Sequence, residues 1–233
     1  CKIFNLDKLS YSSDNTGIDE YLSINNNHSL NYRFIKADLR NKDQVKSIIQ
    51  KIKPDIVFHL AAETHVDRSI DNPRLFLESN VIGTFNLLEA SFQYWEQLQN
   101  AKKELFRFIH ISTDEVFGTL GSEGSFNELS NYSPNSPYSA SKASSDHFVR
   151  AFHHTYGFPI NIINCSNNFG KWQFPEKFIP LIINKAISGQ KIPIYGDGLN
   201  VRDWLYVEDH VEALILVMEK GLKGSSYCIG GFG

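Results

Sequence analysis

Two short segments carry side chains whose types and spacing suit proton chemistry. The first is Ile109-His110-Ile111-Ser112-Thr113-Asp114-Glu115-Val116-Phe117-Gly118, an apolar run that ends by presenting a hydroxyl and two neighbouring carboxylates. Carboxylates sharing a site separate in pKa, one protonated and one ionised, so Asp114 and Glu115 can supply an acid and a base together. Taken alone, an Asp-Glu pair is more often a helix cap or a surface loop. The second segment is Tyr138-Ser139-Ala140-Ser141-Lys142. Helical positions four apart share a face, so Tyr138 and Lys142 are neighbours. A free phenol ionises at about pH 10, and an adjacent ammonium is expected to lower that value. Ser136-Pro137 suits a helix start. Tyr-x-x-x-Lys alone occurs by chance in many helices; about 25 residues after a strand ending in Ser-Thr it becomes a stronger signal.

The elements that must position these groups read as short apolar runs alternating with helical stretches, the pattern of a parallel sheet wrapped by helices. Strands are predicted at Lys2–Leu6, Tyr32–Lys36, Ile56–Leu60, Arg107–Ser112 and Ile160–Cys165, and helices at Lys42–Lys51, Leu75–Leu98 and Tyr138–Tyr156. Right-handed crossovers make a doubly wound open sheet the economical topology, with ligands beyond the carboxyl ends of its strands. After Cys165 the rhythm changes. Asn167, Asn168 and Gly170 read as a turn cluster, followed by Phe174-Pro175-Glu176-Lys177, an apolar helix through Ile187, the runs Ile192–Tyr195 and Asp203–Val207, and a helix from Asp209 to about Lys220. We therefore expect a first domain over 1–165 and a smaller α/β lobe over 166–233, interleaved with the sheet. The polar stretch Ser23–Asn31 reads as a solvated loop.

Composition narrows the class. The 233 residues, 42% of them apolar, suffice for one large core or one core plus a small lobe. A net charge of −3 implies no basic surface for nucleic acid. No apolar run approaches membrane-spanning length, and no leader-like segment opens the chain. Cys1, Cys165 and Cys228 lack metal-ligand spacing and read as reduced thiols of a cytoplasmic protein. His153-His154 and the other histidines show no metal pattern, and Phe92 and Trp95 read as core or interface residues.

Ser112-Thr113 before Tyr138-x-x-x-Lys142 resembles the extended short-chain dehydrogenase family, and more narrowly its nucleotide-sugar 4,6-dehydratases of the dTDP-glucose type. The matching stretches begin at His59, His110, Ser136, Asn164, Phe174 and Arg202, and Thr113-Asp114-Glu115 separates dehydratases from sister epimerases. The resemblance implies an NAD-dependent lyase with a Rossmann-type sheet. It implies that Tyr138 takes the proton of the sugar 4-hydroxyl, and that Lys142 holds the cofactor ribose and, together with the positive nicotinamide ring, lowers the Tyr138 phenol. Glu115 would act as general base at C5, Asp114 as general acid on the 6-hydroxyl, and Thr113 as partner of the 4-oxygen. It places Asp7, Lys8, Asp38, Leu39, Leu60, Ala61, Ala62, Ser79 and Asn168 at NAD, with Asp7 on the adenosine ribose. It places Thr64, Asn167, Glu176, Lys177, Pro193, Ile194, Tyr195 and Arg202 at the nucleotide sugar. It also implies a homodimer through Leu75–Leu98 and Tyr138–Tyr156, with dTDP-glucose favoured over UDP-glucose as substrate.

Two departures qualify the resemblance. The glycine-rich turn that seats the cofactor pyrophosphate, expected before Asp7, does not occur, and the chain opens and closes on strand-like runs. It therefore reads as a piece of a longer protein, lacking the first strand of the sheet and expected to bind NAD poorly by itself. Lys171-Trp172 stands where proline is common, and Phe117 where tyrosine is frequent.

Overall fold

The computed structural model describes residues 1–25, 31–121, 124–194 and 197–231. Its elements are β1 (Ile3–Asp7), α1 (Thr16–Ile24), β2 (Tyr32–Lys36), α2 (Lys42–Ile52), β3 (Ile56–His59), α3 (Val66–Asp71) and α4 (Pro73–Phe76). A π-helical segment (Leu77–Ile82) joins α4 to α5 (Gly83–Glu96), followed by α6 (Asn100–Leu105), β4 (Arg107–Thr113), α7 (Pro137–Tyr156) and β5 (Ile160–Cys165). The last elements are β6 (Asn167–Phe169), α8 (Phe178–Ile187), β7 (Trp204–Tyr206), α9 (Val207–Lys220) and β8 (Ser226–Ile229). All strand pairs are parallel: β1 with β2, β6 with β7, and a larger sheet in the order β3-β4-β5-β8.

The larger sheet is covered on both faces because its strands alternate side chains between two cores. Phe108 and Ile162 join Val45 and Ile49 of α2, Leu87 and Leu88 of α5 and Val149 of α7. Ile109 and Ile163 point the other way, onto Leu214 and Val217 of α9. Phe158, fully buried between α7 and β5, packs its ring against Phe92, Trp95, Phe106 and Phe108. Burying a side chain of this kind contributes about 1.5–3 kcal/mol, so this cluster helps hold α5 and the turn between α7 and β5 against the sheet.

Several expectations are corrected. The stretch read as one helix, Leu75–Leu98, is interrupted by the π segment, and the turn cluster at Asn167 is strand β6 paired with β7. Ser23 and Ile24 finish α1 instead of opening a loop; most of that polar stretch lies outside the described residues. Ile192–Ile194 forms no regular strand, and Tyr195 lies outside the described residues. No described helix is long and apolar enough to cross a membrane.

Candidate active site

Strand β4 delivers the carboxylates. Thr113, its last residue, caps a 3-10 turn over Asp114–Phe117, its hydroxyl accepting the Glu115 N–H at 3.3 Å. Opposite, α7 starts on a reciprocal cap. The Ser136 hydroxyl accepts the Ser139 N–H at 3.1 Å, and the Ser139 hydroxyl accepts the Ser136 N–H at 2.9 Å. With Pro137 in the first turn, the helix begins one residue before Tyr138. Strand end and helix start thus meet at a cavity of about 720 Å³.

Of the predicted residues, Leu60, Ala62, Thr64, Thr113, Glu115, Tyr138, Lys142, Asn167, Asn168, Glu176, Lys177, Pro193, Ile194 and Arg202 line that cavity. Asp7, Lys8, Asp38, Leu39, Ala61, Ser79 and Asp114 do not. Asp7 ends β1, where its carboxylate accepts the Leu9 N–H at 2.6 Å. Asp38 is held by Arg40, whose hydrogen bonds keep its carboxyl below the usual range. Leu39 packs into the core under α5. Lys8 bonds Glu63 at 2.6 Å and Ser79 at 3.4 Å, which ties the end of β1 to the segment following β3.

The electrostatics separate the acidic groups from the phenol. Burial raises the Asp114 carboxyl, against the opposing hydrogen bond from Thr113. Burial and then the neighbouring Asp114 raise Glu115, while Arg202 and Lys177 pull it down. The Tyr138 phenol is also raised, chiefly by burial and then by Glu115. The ammonium of Lys142 donates to the Ile111 carbonyl at 2.7 Å instead of to the phenol, so Lys142 by itself does not produce the expected lowering here. Several cavity residues are held by protein partners. Lys177 donates to the Thr64 carbonyl and hydroxyl, both at 3.1 Å, and Glu176 accepts from Tyr11 at 2.6 Å and Arg68 at 3.3 Å. The Asn168 side-chain oxygen lies 2.8 Å from His210 Nδ1, and Arg202 donates to the Val201 carbonyl at 2.8 Å.

The family model for GDP-mannose 4,6 dehydratase matches residues 1–232. The chain belongs to that family. The dTDP-glucose 4,6-dehydratase of Xanthomonas campestris pv. campestris (strain B100) is 50% identical over 230 residues, covering 99% of this chain and 64% of the relative. That of Haemophilus influenzae is 51% identical over 230 residues, covering 98% and 67%. The chain thus spans about two thirds of the length of these relatives. Among solved structures, dTDP-glucose 4,6-dehydratase from Bacillus anthracis in complex with NAD superposes with a TM-score of 0.85 at 40% identity, covering 100% of this chain and 67% of that one. A UDP-glucose 4-epimerase from Thermotoga maritima reaches 0.84 at 27% identity, covering 98% and 69%.

As a 4,6-dehydratase family member the chain also uses residues that sequence reading passed over. Asn80, buried in the π segment, accepts the Glu63 N–H at 2.8 Å and donates to the Glu63 carbonyl at 3.0 Å and the Ser141 hydroxyl at 2.9 Å. It thereby clips the segment after β3 to α7. Its signal was a polar residue placed between the apolar Phe76 and Val81. Gln173 lines the cavity and donates to the Asn168 carbonyl at 2.8 Å; nothing in its sequence context marked it.

Proposed function

We propose that this chain carries the catalytic site of a dTDP-glucose 4,6-dehydratase, acting with NAD as part of a cytoplasmic homodimer. The observation that carries the reading is one cavity lined by Thr113, Glu115, Tyr138 and Lys142, with Lys177 and Arg202 also in its wall. The residues fit the nicotinamide and ribose end of NAD: Tyr138 and Lys142 flank the cavity, and the single methyl of Ala62 leaves room for a ring against the end of β3. NAD, when bound, supplies the hydride acceptor that makes a 4-ketone possible and later the hydride returned to C6.

The chain's own residues handle the protons. Tyr138 takes the proton of the sugar 4-hydroxyl, and Thr113 hydrogen-bonds the 4-oxygen. The 4-ketone acidifies the neighbouring C5–H, which Glu115 removes as general base; Asp114, outside the lining but between the lining residues Thr113 and Glu115, turns its side chain to the substrate and gives its proton to the departing 6-hydroxyl. Burial raises the Asp114 carboxyl, the direction an acid needs; Glu115 is raised too, by burial and then by Asp114, with Arg202 and Lys177 opposing. Glu115 returns its proton to C5 when C6 receives hydride, and the proton that Tyr138 took passes through solvent to restore Asp114, so the product is the 4-keto-6-deoxy sugar nucleotide plus water, with no net redox change. Residues 1–165 would form the NAD domain and 166–233 the sugar-nucleotide lobe. Exposed Leu77, Ile82, Phe148 and Tyr156 support pairing of the two long helices across a dimer. The unpaired state of all three cysteines accords with a reducing compartment.

The test is incubation of the protein, extended to the length of its curated relatives, with NAD and dTDP-glucose or UDP-glucose, following loss of one water by mass spectrometry. Water loss from dTDP-glucose, reduced by about 10²–10⁴-fold in Glu115→Gln, is the expected result. Turnover of UDP-glucose alone would reassign the base, and no water loss from either would sink the reading.

A further inference from the structure

Between β6 and α8 the chain runs through residues 172–177, and three of them, Gln173, Glu176 and Lys177, line the cavity. Side chains from the first part of the chain fasten this segment. The Trp172 ring lies against Gly17 of α1, and Tyr11, just past β1, meets Phe174 edge-on with ring centroids 5.7 Å apart. Glu176 makes the most complete tie. Its Oε1 accepts the Tyr11 hydroxyl at 2.6 Å, and its Oε2 accepts the guanidinium of Arg68, from α3, at 3.3 Å. The same guanidinium sits over the Tyr11 ring, 3.7 Å from its centroid, so each of the three side chains touches the other two.

We propose that Tyr11 and Arg68 are positioning residues for the sugar-nucleotide site, a two-donor clamp that holds the Glu176 carboxylate away from the diphosphate and leaves Lys177 and Arg202 to face it. The inference rests on the proposed function for the identity of the ligand and on the contacts for the clamp itself. A sugar nucleotide brings a diphosphate into the cavity, and a carboxylate free to turn toward it would repel it and compete with it for the neighbouring Lys177. Here both carboxylate oxygens are already engaged by protein donors.

The competing reading is an ion pair of no consequence, since pairs between exposed side chains are worth little. The Arg68 side chain is 50% exposed, and its bond alone would fit that reading. Glu176 does not fit it: its side chain is 22% exposed, it belongs to the cavity wall, and its bond to Tyr11 has the short length of a charge-assisted hydrogen bond. Burial and then that bond raise the Tyr11 phenol to about 12, so Tyr11 remains the donor.

The experiment is a double-mutant cycle on the binding of thymidine diphosphate, measured by calorimetry with NAD present, in the protein extended to the length of its curated relatives. Tyr11→Phe keeps the ring beneath Arg68 and removes the hydroxyl without changing charge, and Glu176→Gln removes the charge of the carboxylate. The proposal expects Tyr11→Phe to weaken binding by about threefold or more, the scale of one partly exposed hydrogen bond to a charged group. It expects Glu176→Gln to strengthen binding, relative to its effect in the wild type, by about threefold or more when Tyr11 is already replaced. Unchanged affinity in Tyr11→Phe, a smaller difference between the two backgrounds, or a Glu176→Gln change that weakens binding in both overturns it; the last result makes the carboxylate a ligand. The ligand-free protein supplies a separate reading. The Lys177 N–H donates to the Phe174 carbonyl at 3.0 Å, and its hydrogen exchange should quicken by about threefold or more in Tyr11→Phe. If the wild-type protein binds no thymidine diphosphate, the proposed function falls and the exchange rate decides the clamp: an unchanged rate overturns it.

Discussion

Replacing Asn80 by alanine tests whether the π segment braces the site. The side chain is 1% exposed and makes three hydrogen bonds, two to the Glu63 backbone and one to the Ser141 hydroxyl. Ser141 keeps a second partner, the Tyr138 carbonyl at 2.7 Å. The Glu63 N–H and carbonyl have no other hydrogen-bond partner described, and a buried polar group left unmet costs about 1–3 kcal/mol. The expected loss is therefore about 2–4 kcal/mol, the sum over those two groups with some relaxation. Urea unfolding measures it as a lower midpoint at unchanged slope. Ser144→Ala, an exposed hydroxyl on the same helix as Ser141, should stay within about 0.5 kcal/mol. Affinity for NAD should fall in parallel, because Leu60–Thr64 loses its anchor. An Asn80→Ala protein within 0.5 kcal/mol of wild type, by the same threshold, would refute the bracing argument.

Removing Arg202 should shift the acid limb of kcat upward in pH. A base works only when ionised, and Arg202 is the larger of two influences holding the raised Glu115 carboxyl down; Arg202→Met tested at saturating substrate must move the limb to higher pH, and a downward move contradicts the assignment. Gly17 lies in α1 beneath Trp172, and a methyl there would meet indole carbons at 2.7–2.9 Å. Gly17→Ala should destabilise by about 1–3 kcal/mol, whereas with Trp172→Ala the same change should stabilise by up to about 1 kcal/mol, alanine being the better helix former. Thermal unfolding of the four proteins checks the reversal of sign.

The central sheet and both reactive segments were legible because their signals are local. Buried strands such as Arg107–Thr113 and Ile160–Cys165 are rich in isoleucine and phenylalanine, and α7 announces itself with Ser136-Pro137 and ends at Gly157, which has a φ of 68°. The elements that escaped are short or polar. Helix α1 buries no residue, so no apolar stripe marked it, and β6 was hidden because asparagines read as turn formers until β7 supplies a partner. What Lys142 does to Tyr138 also needed the fold. Spacing shows that Tyr138 and Lys142 share a face, but only the fold shows that the ammonium turns to Ile111 and that burial dominates. Glu176, Lys177 and Thr64 came from the resemblance, while the partnership of Glu176 with Tyr11 and Arg68, and of Lys177 with Thr64, joins residues remote in sequence and is invisible to periodicity.

The outer wall of the cavity is closed by a ladder of three residue pairs, Asn167 with Trp204, Asn168 with Leu205 and Phe169 with Tyr206, with the last two rings 5.4 Å apart. Glu176, Lys177, Pro193, Ile194 and Arg202 all belong to the stretch between those two strands. The ladder draws its ends together, and the entropy of closing a longer stretch grows only slowly with length, by about 0.6 kcal/mol per doubling. The wall is thus an exchangeable cassette. Residues can be inserted or swapped within it to reshape that side of the cavity, while β4 and α7, held in the sheet and its core, keep Thr113, Glu115, Tyr138 and Lys142 in unchanged register.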